Sequence, residues 1–121
     1  MAAIEALSAH DISARQVSLP RWTFQDGVLQ RSFRTGGWKA SLMLVNAIGH
    51  LAEAAWHHPD IHLSWDRVIV RLSTHDVSGI SERDFALARR IEEFVNWRPS
   101  ADDALEGTPD DDRFAYIVDK D

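Results

Sequence analysis

Apolar residues recur along the chain with two periods, and the switches between them predict its elements. Residues 8 to about 17 suit a short helix, with Ser8 as its N-cap and Leu19-Pro20 as its stop. Arg21-Trp22-Thr23-Phe24 and Val28-Leu29-Gln30-Arg31-Ser32-Phe33 flank Gln25-Asp26-Gly27, so two β-prone runs around Asp-Gly predict a hairpin. Gly36-Gly37 breaks that pattern. Trp38, Leu42, Val45, Gly49, Ala52 and Trp56 follow with helical spacing, a face directed at a core. Met43, Leu44, Ala47, Ile48 and Leu51 widen this stripe. So apolar a helix is expected to meet two neighbours, a sheet and a partner subunit. Pro59 ends it.

Alternation then returns. Ile61, Leu63 and Trp65 share one face of a strand, and a turn near Asp66-Arg67 leads to a second strand over Val68–His75. There Val68, Val70 and Leu72 oppose Ile69, Arg71, Ser73 and His75. Gly79 closes the next loop. Ser81 and Asp84 form a capping box that opens the last helix, whose stripe is Phe85, Ala88, Ile91 and Val95. Pro99 ends regular structure. Two hairpins and two long amphipathic helices predict an α+β domain, a four-stranded antiparallel sheet with helices on one face. The domain spans residues 1–99, and residues 100–121 form an acidic C-terminal extension. Its Phe114, Tyr116, Ile117 and Val118 predict docking, on its own subunit or a neighbour.

Length and charge narrow the function. The chain has 121 residues, room for one modest core. Its net charge is −6, from 13 basic and 19 acidic residues, which argues against a nucleic-acid binder. Asp102, Asp103, Glu106, Asp110, Asp111, Asp112, Asp119 and Asp121 crowd the last twenty residues. Without cysteine there is no disulfide framework and no thiolate metal site. The start, Met1-Ala2-Ala3-Ile4-Glu5-Ala6-Leu7, lacks the basic and apolar regions of a signal peptide, and no run suits a membrane span. A cytoplasmic protein with no membrane contact is expected.

Histidines are the candidate chemistry. His57 and His58 sit where a helix ends at Pro59, and His75 sits before a glycine loop. Imidazole is the side chain best suited to proton transfer near neutral pH, and converging imidazoles supply both an acid and a base. A lone histidine at a helix end is more often a surface residue or a partner of the helix dipole, and His10 and His50 read that way. His62 lies on a strand beside the pair. A zinc site built from His57, His58, His62 and His75 lacks a His-Glu-x-x-His motif. Adjacent helical histidines also diverge by about 100°. Asp84 is a capping residue, a carboxylate presented near His75, or both.

Glu53-Ala54-Ala55-Trp56-His57-His58-Pro59-Asp60, Leu72-Ser73-Thr74-His75 and Gly79-Ile80-Ser81-Glu82-Arg83-Asp84 together resemble the signature of the pterin-4a-carbinolamine dehydratases. The resemblance runs from Leu19 to Val95, with Trp65 as the family's aromatic. It departs from the family pattern at Trp56, where Asp or Asn is common, and in the tail beyond Pro99. The resemblance implies loss of water from a 4a-hydroxytetrahydropterin to give quinonoid dihydropterin, with no metal or organic cofactor. It implies homodimers or homotetramers. His57, His58 and His75 fall on the family's active-site histidines. His57 or His75 faces the hydroxyl, and His58 contacts the ring. Glu53, Arg83 and Asp84 fall on positions lining the pterin site. The same fold also serves as a protein-binding factor, and an assembly factor for RuBisCO in carboxysome-bearing bacteria is the alternative.

Overall fold

The computed structural model describes residues 3–119, so Met1 and Ala2 of the N-terminal reading and Asp121 of the acidic run lie outside the described residues. In chain order the elements are α1 (Ala9–Gln16), β1 (Thr23–Gln25), β2 (Val28–Arg34), α2 (Trp38–Ala55), β3 (Asp60–Ser64), β4 (Arg67–Leu72), a 3-10 turn (His75–Val77) and α3 (Glu82–Val95). The four strands form one antiparallel sheet in the order β1-β2-β4-β3. The α+β architecture is therefore the expected one.

Local chemistry accounts for the elements. Ser8 accepts from the Asp11 amide at 3.1 Å and caps α1. Asp26 and Gly27 have φ of 53° and 78°, the paired left-handed residues of a tight hairpin turn. Register then sets the faces. Leu29 opposes Leu72, Arg31 opposes Val70 and Phe33 opposes Val68. All six are buried beneath the helices, with Leu44, Ile48, Phe85, Ala88 and Ile91 above them.

Two sequence expectations are corrected. Helix α2 buries Ser41, Leu44, Ile48 and Ala52, while Trp38, Leu42, Gly49 and Trp56 face solvent. The seam is rotated roughly a quarter turn from the expected stripe, as the 100° advance per residue makes plain. Ser41 hides it: a polar residue sits in the buried phase, its hydroxyl bonded to Thr35 Oγ1 at 2.7 Å and Trp65 O at 3.1 Å. The strand expected to reach His75 ends at Leu72. Thr74 and Gly79 pair backbone to backbone, and the loop between them carries His75 on the 3-10 turn.

The extension folds back on its own chain. Gly36 N donates to Tyr116 O and Val118 N to Arg34 O, both at 2.9 Å, and Ile117 bridges to Thr35. This prolongs the sheet beside β2, beyond the end of β1. Phe114 stays exposed. Asp119 accepts from Arg34 N at 2.8 Å and from the guanidinium of Arg31. Arg31 is 3% exposed. It also donates to Glu92 at 2.7 Å and lies 3.9 Å over the Phe33 ring. Trp22 Nε1 donates to the same Glu92 oxygen at 2.8 Å. A buried guanidinium needs such partners, because a desolvated charge left unpaired is strongly destabilising.

Candidate active site

Helix α2 ends in a way that aims two histidines apart. Trp56 takes a left-handed conformation, φ 53° and ψ 47°, and its amide donates to Ala52 O and Glu53 O. The next amide, of His57, donates to Ala52 O at 3.1 Å. The chain thus reverses over one residue, and successive side chains leave in different directions. His57 turns inward toward the start of α3. His58 turns outward, its Nε2 2.7 Å from Glu53 Oε1 and its ring edge-on to Trp56 at 5.0 Å.

Asp84 is the centre of the inward branch. It is fully buried at the first turn of α3, where the helix N-terminus favours negative charge. Its Oδ2 accepts from Ser81 N at 2.9 Å and from the Thr74 hydroxyl at 2.7 Å. Its Oδ1 lies 2.7 Å from His57 Nε2. A carboxylate only accepts, so Nε2 carries the proton and Nδ1 is the ring nitrogen left for a ligand. With Thr74 donating to Asp84, the Ser81 hydroxyl donates to Thr74, 2.7 Å away, and accepts from Arg83 N at 3.2 Å. The capping box and the histidine support are therefore one network.

The remaining candidates lie around it. His75 is exposed on its turn, one residue past Thr74, so Asp84 links the strand end beside His75 to His57. Arg83 reaches Asp76 at 3.6 Å across an exposed pair. A groove of about 510 Å³ brings His57 and Arg83 together with Trp56, Leu87 and Arg90; Glu53, His58 and His75 do not line it. His62 is exposed and, one place from Ile61 and Leu63, belongs to the sheet face away from the helices. Among the described residues, no three His, Asp or Glu side chains are grouped to hold a metal ion. None of their helices is long and apolar enough to cross a membrane.

Sequence reasoning missed three contributors. Thr74 was visible only as a neighbour of His75, and Trp56 only as the end of the apolar stripe and a departure from the family pattern. Arg90 had a signal, since it stands seven residues after Arg83 and so shares its helix face.

A family model described as pterin 4 alpha carbinolamine dehydratase matches residues 5–94. A relative from Aquifex aeolicus, named for the pterin-4-alpha-carbinolamine dehydratases, is 42% identical over 92 residues, 76% of this chain and 93% of its own. One of the same name from Thermosynechococcus vestitus is 42% identical over 87 residues, 72% of this chain and 92% of its own. Among solved structures, a transcriptional coactivator/pterin dehydratase from Brucella melitensis superposes with a TM-score of 0.68 at 26% identity, covering 72% of this chain and 95% of that one. A pterin dehydratase-like protein described as a RuBisCO assembly factor of the α-carboxysome shares the fold, with a TM-score of 0.51 at 22% identity, covering 63% and 88%. The family match stops before the extension.

Proposed function

The chain belongs to the pterin 4 alpha carbinolamine dehydratase family, and from that premise we propose that it dehydrates a 4a-hydroxytetrahydropterin to quinonoid dihydropterin, with His57 as a proton-transfer group. The observation that carries this reading is the 2.7 Å contact between His57 and the fully buried Asp84. A carboxylate so placed fixes the imidazole tautomer and stabilises the imidazolium that forms when the ring takes a proton. In the reaction the C4a–O bond breaks as a ring-nitrogen lone pair forms C4a=N5. The leaving hydroxyl takes one proton and departs as water. The N5 proton goes to a base. Protonated His57 suits the first transfer and neutral His57 the second, and exposed His75 and His58 supply the complementary group. Glu53 steadies His58 as Asp84 steadies His57. Arg83 shapes the pterin side of the site, while the fully buried Asp84, expected from the sequence to line it, acts through His57. Such general acid–base help is worth about 10²- to 10⁴-fold.

The test is dehydration of enzymatically generated 4a-hydroxytetrahydropterin, corrected for spontaneous loss of water. Wild type accelerates it, while His57→Ala and His75→Ala are slower. Equal, background-level rates for all three would sink the proposal.

A second reading is favoured by a different observation. Phe94, Trp97 and Leu105 are exposed around a groove of about 1100 Å³ between the end of α3 and the extension, with Phe114 exposed nearby. Exposed apolar groups in such number mark protein contacts. On this reading the chain is a protein-binding factor, for example one that assists RuBisCO assembly. Co-expression with RuBisCO subunits, with and without residues 100–121, checks it. An unchanged yield of assembled enzyme rejects it.

A further inference from the structure

Trp56 is a costly choice where it stands. The left-handed position ending a helix favours Gly or Asn, because a side chain there crowds the following carbonyl. A bulky residue accepts that strain without return from burial, since the indole is 76% exposed. Strain at such a point is a sign that the side chain serves something outside the fold. Trp56 walls the groove of about 510 Å³ that starts at His57 and runs along α3 over Ala86 and Leu87 to Arg90. That volume suits a small molecule. Its two charged walls are Arg83 and Arg90, and no carboxylate of the described residues lines it. Both arginines touch acids only outside the groove, Asp76 at 3.6 Å and Glu93 at 3.2 Å, in exposed pairs that a ligand can displace. Seven residues along a helix is about 10 Å. Arg90 therefore stands about 10 Å farther along α3 than Arg83, where a charged substituent on a ring seated beside His57 and Arg83 can be met.

We infer that this groove is a subsite for an anionic substituent on the pterin, with Arg83 and Arg90 taking the charge and Trp56 covering the ring end. The inference rests on the pterin reading and narrows its substrate class: the groove selects anionic over neutral side chains. Calorimetric titration with a matched pair, 7,8-dihydroneopterin and its 3′-monophosphate, tests it. At low salt the phosphate ester binds about tenfold tighter, as charge-assisted contacts to guanidinium groups should provide, and the advantage shrinks at 0.5 M salt. Arg90→Gln, at an exposed position that leaves the fold intact, lowers the ratio of the two affinities toward one. Equal affinities in wild type, or a ratio unmoved by Arg90→Gln, overturn the inference while the pterin reading stands. Failure of both ligands to bind overturns the pterin reading and the inference with it.

Discussion

Replacing Asp84 by Asn separates the tautomer effect from the structural one. The side chain keeps its volume in a fully buried position. The amide oxygen still accepts from Ser81 N and the Thr74 hydroxyl, which share one carboxylate oxygen. The amide nitrogen then faces His57 Nε2 and donates to it. His57 must carry its proton on Nδ1, so the nitrogen offered to substrate changes from acceptor to donor. One charge-assisted bond becomes a neutral one, which costs about 1 kcal/mol of stability. The rate falls about 10²- to 10⁴-fold, about 2.7 to 5.5 kcal/mol in the barrier. Asp84→Ala instead strips partners from His57, Thr74 and Ser81 together, for about 3 to 5 kcal/mol. Stopped-flow dehydration across pH, with thermal unfolding alongside, measures both. In Asp84→Asn the rate falls by that factor while the melting temperature drops only a few degrees. A variant with the wild-type rate and profile would falsify the placement of His57 as the proton-transfer group. A variant whose loss of rate is matched by its loss of folded protein would assign Asp84 a purely structural role.

Trp56→Gly removes the left-handed strain and should raise stability by about 1 kcal/mol while weakening pterin affinity; a lower melting temperature contradicts the strain argument. Asp119→Ala leaves Arg31 with Glu92 as its one remaining carboxylate among the described residues and should cost about 2 kcal/mol in chemical denaturation; no change would mean that the extension is not anchored there. Tyr116 is the sole tyrosine, and burial pushes its phenol above the ordinary value. Docking of the extension is therefore fully favoured below pH 10 and weakens as pH rises through the raised value, since the released chain ionises first. Ultraviolet titration reads this directly. In Gly36→Ala the new Cβ meets the Ala115 carbonyl oxygen at 2.7 Å, so the extension is displaced and the transition returns toward the ordinary tyrosine value.

Much of this was legible in the sequence because local chemistry set it. Asp26-Gly27 turns the hairpin, Ser81 and Asp84 cap α3, and Val68, Val70 and Leu72 share a buried face, all by short-range rules. The site histidines were legible as residues but not as a geometry. That His57 pairs with Asp84 and His58 with Glu53 follows from the left-handed turn at Trp56, which no periodicity predicts. The phase of α2 was hidden because both sides of that helix are apolar and a satisfied serine lies in the buried one. Docking of the extension was readable from Tyr116 and Ile117, whereas its anchor was not. Arg31 and Asp119 are 88 positions apart, and only the fold brings them together.

That anchor ties two distant positions, 36 and 119, into one heritable unit. Arg31 is buried only because Asp119 and Glu92 neutralise it, and Asp119 arrives only if Gly36 leaves room for the Ala115 carbonyl. A chain of this family without the extension would keep Arg31 on Glu92 and would have to replace the second carboxylate from elsewhere. It would also be free of the demand for glycine at position 36. Glycine at 36 and the acidic end of the extension should therefore pass down lineages together or disappear together, a pattern of descent readable from sequences alone.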